Sequence, residues 1–392
     1  MKEKKGSSLL ETKRRNRVWI KDTIFRKEPV TRTDIAQELE LTLPTITTSV
    51  NEMIKQGILE EVPMPEEKLV NAVGRRPGAI RFVSDIAWAV GVELDPYATR
   101  AVLMNIKGEV LGCSEKGPAA GNYETMVRDV SVQILELLNG ADRGNVLGAG
   151  IGLPGLIECE NGVIQSSYHK DWCGRKLAGD MERLLGLPVM INNNSRMRAF
   201  GYGMNLRGNG PDSFAYYYIS GNISCPLMVK SGILSGYTAI AGDAGHMILW
   251  TERNRQRCLD ELAGEKAILD KCRKRKKAGA LKPMEEGNGL TLKEVLKAQR
   301  EKDEDVCRIL EESIKYLAAG LSNVVNLVNT GFVAVEGCLM EAGPNRTMLE
   351  QQARNGFCGL NEEVKIEFVP YDSLNGAKGA AYFIMRRLFL EK

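Results

Sequence analysis

The spacing of apolar side chains changes character once along this chain. Up to about residue 57 apolar positions recur at helical intervals and predict three helices, 10–27, 32–40 and 43–56. Thr31-Arg32-Thr33-Asp34 reads as a helix start, because the Thr31 hydroxyl can accept from the amide three residues on and Asp34 suits the positive helix end. Ile35, Ala36 and Leu39 form the inner stripe of that helix. Thr42 caps the next helix, Pro44 is tolerated in its first turn and Gly57 ends it. Within it Ile46, Val50 and Met53 face a core, which leaves Thr45, Thr47, Thr48, Asn51 and Lys55 outward. Two short apolar runs, 58–62 and 79–83, flank a polar stretch rich in Pro, Glu and Gly and predict a β-hairpin with a long tip.

Past Ser84 the pattern becomes one of buried-strand runs alternating with helices, the rhythm of an α/β fold. Runs 87–92 and 100–104 precede a helix at 122–139. A second set is expected to open at Val189-Met190-Ile191 and to continue through 214–219 and 332–335. Long, partly apolar helices are expected at 304–329 and 375–390. Two successive β-rich units, each followed by helices, suggest a duplicated fold.

A chain of 392 residues exceeds what one hydrophobic core covers. No apolar run approaches the ~20 residues that cross a bilayer, and the charged N-terminal stretch lacks the apolar core of a secretory signal, so no membrane partner and a cytoplasmic location are expected. The nine cysteines are scattered without a Cys-x-x-Cys pair, which fits idle or buried thiols in a reducing compartment. Net charge is only +3, yet the first 33 residues hold eleven Lys/Arg against four acids. The basic run Lys271 to Lys277 reads as a solvated helix face, with a second nucleic-acid contact as the alternative.

Short hydroxyl and amide side chains on the outward face of the third helix suit the floor of a DNA major groove. The hairpin tip, Gly74-Arg75-Arg76-Pro77-Gly78, projects two guanidinium groups that suit a narrow minor groove. DNA-binding residues are therefore expected at Thr45, Thr47, Thr48, Asn51, Lys55, Arg75 and Arg76.

At these positions the chain resembles the ROK family, in particular its xylose and N-acetylglucosamine repressor branch. The resemblance rests on Val30-Thr31-Arg32-Thr33-Asp34-Ile35-Ala36, Leu41-Thr42-Leu43-Pro44-Thr45-Ile46, Gly57-Ile58-Leu59 and Gly74-Arg75-Arg76-Pro77. It continues in Gly148–Gly155, Leu187–Asn194, Ala241–Met247 and Gly376–Ala381. It implies an α/β architecture in which an N-terminal winged helix-turn-helix is followed by a two-lobed actin-like, hexokinase-like ROK domain with a ligand cleft between lobes. The domains would be 1–83 and 84–392, with lobes of about 84–190 plus the C-terminal helix and 191–374. A homodimer or dimer of dimers is the expected assembly.

The kinase chemistry of that family is expected to be missing here. The family's Asn-Asp pair, whose carboxylate is the base, is matched by Asn193-Asn194, and an amide cannot accept a proton at neutral pH. The first phosphate loop, Asp-x-Gly-Gly-Thr in family kinases, is matched by Glu93-Leu94-Asp95-Pro96-Tyr97-Ala98-Thr99, and the second by Ser220-Gly221-Asn222-Ile223-Ser224. Of the family's His and Cys-x-Cys-Gly-x-x-Gly-Cys zinc set only His246 and Cys258 remain, with Thr251 and Arg253 at the other cysteine positions, so no structural zinc and no cofactor are expected. The polar set matched to the sugar site is Asn193, Asn194, Asp243, His246 and Asp260. The expected function is a DNA-binding transcriptional regulator, a repressor of carbohydrate-utilisation genes, with double-stranded operator DNA and a sugar or sugar derivative as partners. The alternatives are a sugar kinase with a regulatory DNA-binding arm and a ligand-independent repressor.

Overall fold

The N-terminal segment folds as its punctuation requires. In the computed structural model, which describes residues 9–65, 78–229, 232–251, 254–277 and 290–392, it forms α1 (Leu9–Lys27), β1 (Val30–Thr31), α2 (Arg32–Leu39), α3 (Leu43–Lys55), β2 (Leu59–Pro63) and β3 (Gly78–Phe82). The Asp34 amide donates to Thr31 Oγ1 at 3.1 Å and the Thr31 amide donates back to Asp34 Oδ2 at 3.3 Å, so two orphan donors of α2 are satisfied reciprocally. Thr42 caps α3 by accepting from the Thr45 amide, and Gly57 ends that turn at φ +70°, where a side chain would be strained. β3 pairs antiparallel with β2 on one edge and with β1 on the other, Val30 opposite Ile80. β1 is too short to show any periodicity, so only the fold reveals it. The hairpin tip with Arg75 and Arg76 lies outside the described residues.

The next strands are β4 (Trp88–Leu94), β5 (Thr99–Asn105) and β6 (Val110–Lys116), an antiparallel meander. α4 (Tyr123–Leu137) then crosses to β7 (Val146–Leu153), parallel to β4. A small ribbon, β8 (Leu156–Glu158) with β9 (Val163–Ser166), and α5 (Leu177–Leu185) lead to β10 (Val189–Asn193) and α6 (Asn194–Asn205). The sheet order is β10-β7-β4-β5-β6. Val189-Met190-Ile191 was expected to open the second set of strands, but it pairs in parallel with β7 and closes the first sheet. Its apolar run reads the same in either sheet, and only the non-local partner decides.

These elements, up to Gly210 and with Leu374–Lys392, form one compact unit. The C-terminal helix Asn375–Met385 carries Gly376, Ala377, Gly379, Ala380 and Ala381, which let it lie directly on the sheet: a methyl at Gly91 would overlap the Ala377 carbonyl, and one at Gly150 the Ala380 carbonyl. One apolar cluster runs from Ile24, Phe25, Ile46 and Met53 of the N-terminal segment through Ala89 and Val102 of the sheet to Ala381 and Met385. Ser84 thus marks a change of texture along the chain without a gap in the core.

The second unit, Pro211–Ser373, holds β11 (Phe214–Ile219), β12 (Ile223–Ser224), β13 (Leu227–Val229), β14 (Gly232–Ile233) and the ribbon β15 (Ile248–Trp250) with β16 (Gln256–Cys258). These are followed by α7 (Leu259–Ala263), α8 (Glu265–Lys277), α9 (Leu292–Arg300), α10 (Glu304–Val328), β17 (Phe332–Glu336), α11 (Gly343–Asn355) and β18 (Lys365–Phe368). Its main path is β18-β17-β11-β13-β14, three parallel strands and then two antiparallel ones, which repeats the order of the first sheet. The expected duplication is visible in this shared topology. Its own core packs α7 to α11 on β11 and β17, with Leu310, Ile314, Leu317 and Leu321 of α10 fully buried. Among the described residues no helix is long and apolar enough to cross a membrane.

Candidate functional site

On α3, Ile46, Val50 and Met53 are fully buried, which turns the opposite face outward. Thr48, Asn51 and Lys55 are exposed there, and Thr45 and Thr47 are half-buried. Thr45 Oγ1 lies 2.8 Å from Thr42 Oγ1, and the Thr48 hydroxyl donates to the Pro44 carbonyl at 2.9 Å, so both hydroxyls keep an acceptor free. The Asn51 amide oxygen accepts from Arg32 at 3.1 Å, and the same guanidinium pairs with Glu61 at 2.8 Å. Arg32 is a member of this face that sequence spacing missed, because its link to Asn51 spans two helices. Leu43, 46% exposed at the head of α3, is the other.

In the first unit, the carboxyl ends of the parallel strands β4, β7 and β10 lie side by side, the usual place for a ligand on such a sheet. Beyond β10, Asn193 caps α6: its Nδ2 donates to the Gly155 carbonyl at 3.0 Å and its Oδ1 accepts from the Ser195 amide at 3.0 Å. Asn194 Oδ1 also accepts from the Ser195 amide, at 2.9 Å. Both amides therefore shape the turn between β10 and α6. Beyond β4, Asp95 Oδ1 accepts from the amides of Tyr97 at 2.7 Å and Ala98 at 2.8 Å, while its other oxygen pairs with Arg100. The backbone donors of this loop are thus occupied by the chain's own carboxylate. Two residues earlier, on β4, Glu93 forms with Arg198 a fully buried two-pronged pair at 2.8 and 2.7 Å.

α6 leads away from Asn193 to Arg207, a non-glycine residue at φ +47°. The Arg207 guanidinium donates to the Phe25 carbonyl at 3.0 Å and to the Lys107 carbonyl at 2.6 Å, lies 4.1 Å from the Phe25 ring centre and reaches Glu28 at 3.4 Å. The end of α1, the β5–β6 turn and the end of α6 are clamped by this one side chain. Burial holds the Glu28 carboxyl above its ordinary value, with the Phe82 amide and Arg207 opposing the shift.

The second unit brings Asp243, His246 and Asp260 together. His246 Nδ1 lies 3.0 Å from Asp243 Oδ2, and this hydrogen bond with the Asp243 charge raises the imidazole pKa above 6.5. The His246 side chain is 70% exposed, so the residue does not serve packing. Asp260 Oδ1 accepts from the Ile223 amide at 2.6 Å, and burial raises its pKa. Its carboxylate also lies against Gly245, where a methyl would overlap it. The amide of Ile223 belongs to the loop matched to the second phosphate site, so here too an internal carboxylate takes the donor.

A zinc ion does not fit these residues. Thr251 and Arg253 stand where two of the thiolates would be, neither supplies a zinc ligand of that kind, and Thr251 closes a turn with Arg255. Among the described residues no three His, Cys, Asp or Glu side chains are placed to hold a metal. The basic run belongs to α8, where Arg273 pairs with Asp270 and Arg275 with Asp305, as on a solvated helix.

Comparison with known proteins agrees with this geometry. The xylose repressor of Caldicellulosiruptor bescii is 25% identical over 334 residues, 82% of each chain. A solved ROK family transcriptional regulator, a homologue of the E. coli MLC protein, superposes with a TM-score of 0.79 over 97% of both chains at 20% identity. A ROK family glucokinase from Streptomyces griseus, solved with glucose and AMPPNP, does so at 0.66 over 76% of this chain and 99% of its own, at 19% identity. These likenesses establish the mixed α/β, hexokinase-like fold. The profile of the ROK family matches residues 89–387, and the chain belongs to that family.

Proposed function

We propose that the protein is a DNA-binding transcriptional repressor whose operator affinity is set by a sugar or sugar derivative, and that it does not phosphorylate that sugar. The observation that carries this reading is a pairing within one chain. An exposed, capped helix of hydroxyl and amide side chains is joined to a sugar-kinase fold in whose matched phosphate loops the amides of Tyr97 and Ala98 are taken by Asp95 and that of Ile223 by Asp260. Phosphoryl transfer needs backbone donors aimed at phosphate and a carboxylate at the attacking hydroxyl. Here the amides of Tyr97, Ala98 and Ile223 are self-occupied, and the matched base position holds Asn194.

In this reading residues 1–83 are a winged helix-turn-helix and 84–392 the sensor. α3 enters the major groove with Thr45, Thr47, Thr48, Asn51 and Lys55, and the Arg75-Arg76 wing enters the flanking minor groove. Two copies would read the two halves of an operator. Asn193, Asn194, Asp243, His246 and Asp260 take the sugar hydroxyls, since amides and carboxylates satisfy such donors and acceptors. α6 carries the signal: sugar contacts at Asn193 set the position of its first turn, and Arg207 at its far end, about 18 Å away at 1.5 Å per residue, holds the end of α1. Such coupling requires the sugar to bind the two operator-affinity states unequally.

The test is fluorescence anisotropy of the full chain on DNA from its own promoter region, over a range of salt, with and without a panel of sugars. One sugar should lower operator affinity. Arg75→Ala with Arg76→Ala should weaken binding and flatten its salt dependence, because fewer counterions are released. Equal slopes for variant and wild type reject the wing. Formation of sugar phosphate from magnesium-ATP and any sugar of the panel rejects the non-catalytic reading in favour of a kinase with a regulatory arm.

A further inference from the structure

Beside Asn193 stands an aromatic stack that the sugar contacts above do not use. The loop after β9 is closed at its base, where the Gly174 amide donates to the Ile164 carbonyl at 2.7 Å and the Ile164 amide to the Arg175 carbonyl at 3.0 Å. Inside it the Trp172 amide donates to the His169 carbonyl at 3.0 Å. Trp172 is fully buried at the bottom, His169 lies 4.5 Å above it between ring centres, and Tyr168 lies 4.1 Å from His169 on the outside. Tyr168 is 53% exposed although the two rings beneath hold it in place. The indole Nε1 of Trp172 is buried without a hydrogen-bond partner, so the ring is kept there for its face and bulk.

The position of this stack is what gives it meaning. The carbonyl of Gly155, which accepts from Asn193, belongs to a glycine at φ +121° whose missing side chain leaves room for the Ser166 carbonyl and the Ser167 backbone, one residue from Tyr168. Burial and, after it, the Asp95 charge raise the Tyr168 pKa, so that carboxylate lies within electrostatic range of the phenol. Tyr168 therefore sits at the carboxyl end of the sheet, in the same neighbourhood as Asn193 and the Asp95 loop. A fixed, half-exposed aromatic face beside amide and carboxylate groups matches a pyranose ring, which offers an apolar C–H face and polar hydroxyl edges.

We propose that Tyr168, backed by His169 and Trp172, is a second sugar subsite, and that the effector is a disaccharide whose first ring meets Asn193 and whose second ring lies on Tyr168. This rests on the sugar-sensor reading and narrows it to a ligand class. A rigid platform of this kind costs little ordering entropy on binding, because Tyr168 is held before the ligand arrives.

The experiment is isothermal titration calorimetry of the full-length protein, and of Tyr168→Ala and Tyr168→Phe, with D-xylose, D-glucose, xylobiose, cellobiose and sucrose. One disaccharide should bind the wild type about tenfold more tightly than its own monosaccharide, an increment of the size an aromatic contact supplies. Tyr168→Ala should remove that increment and leave monosaccharide affinity unchanged, and Tyr168→Phe should retain it. Because Tyr168 is half exposed, the alanine variant keeps its fold, which its monosaccharide titration and melting curve report. A disaccharide advantage that persists in Tyr168→Ala, or a monosaccharide that binds best, overturns the subsite while sparing the sugar-sensor reading. No binding of any of the five sugars overturns both.

Discussion

Replacing Arg207 by methionine keeps the aliphatic stem and removes the fork that clamps α1 and the β5–β6 turn to the end of α6. Two hydrogen bonds from a charged donor are lost, to the Phe25 and Lys107 carbonyls. At about 1.5 kcal/mol each, the low end for charged donors and appropriate to a side chain 24% exposed, they amount to about 3 kcal/mol. Stacking on Phe25 and the long contact with Glu28 add up to about 1 kcal/mol more, of which methionine recovers the apolar part. Opening of the α1 end against the sheet should become easier by about 3 kcal/mol, which is on the order of a hundredfold in the exchange rate of its amides. Hydrogen exchange followed by mass spectrometry over 20–31 and 105–110 reads this directly, with peptides from α10 as an internal standard. Operator binding should survive while its response to sugar is lost. Exchange in both segments within threefold of wild type would refute the clamp, and an undiminished sugar response would refute its part in coupling.

Three further outcomes follow from buried or paired charges. Arg198→Met removes the two-pronged cationic partner of the buried Glu93 carboxylate and should cost about 3–5 kcal/mol in urea unfolding, whereas Glu93→Gln combined with Arg198→Met should recover much of that loss; a loss under about 1 kcal/mol for the single variant contradicts the buried pair. Burial, aided by Arg17, lowers the Lys21 pKa from 10.5 to about 8. Between those values the unfolded chain binds more protons than the folded one, so this residue makes stability rise from about pH 8 upward. Denaturation of wild type and Lys21→Met at pH 7.5 and 9.5 checks it, since the variant should lack that increment and be the more stable of the two at pH 7.5. The chain has two histidines, so an NMR titration resolves each: His246 should titrate above 6.5 because of Asp243, and His169 below it because of burial. Asp243→Asn should bring His246 down, and an unmoved His246 would sever that pair.

The N-terminal elements were readable from local chemistry. A capping threonine, an acid three residues later, a proline in the first turn and a glycine after the last are signals that act within a few residues, and the structure uses each of them at Thr31, Asp34, Pro44 and Gly57. The buried stripe Ile46, Val50, Met53 follows from helical period alone. The small-residue motif Gly376–Ala381 was legible as a family signature, but its physical reason, close packing on Gly91 and Gly150, appears only when the sheet is in view.

What the chain order by itself determined is therefore the three N-terminal helices with their caps, the long helices α4 and α10 and the last helix, and the duplicated α/β rhythm. Tertiary structure alone decided which sheet Val189–Asn193 joins, how the core of the N-terminal segment continues into the sheet and the last helix, and what occupies the phosphate loops. It also revealed the Arg207 clamp and the Tyr168 ring stack. The division has one physical cause. Caps, turns and periodicity are interactions between near neighbours, whereas strand partners such as Val189 with Ala149 lie tens of positions apart, and ion pairs such as Glu93 with Arg198 and clamps such as Arg207 on Phe25 join residues more than a hundred apart, and no local pattern records them.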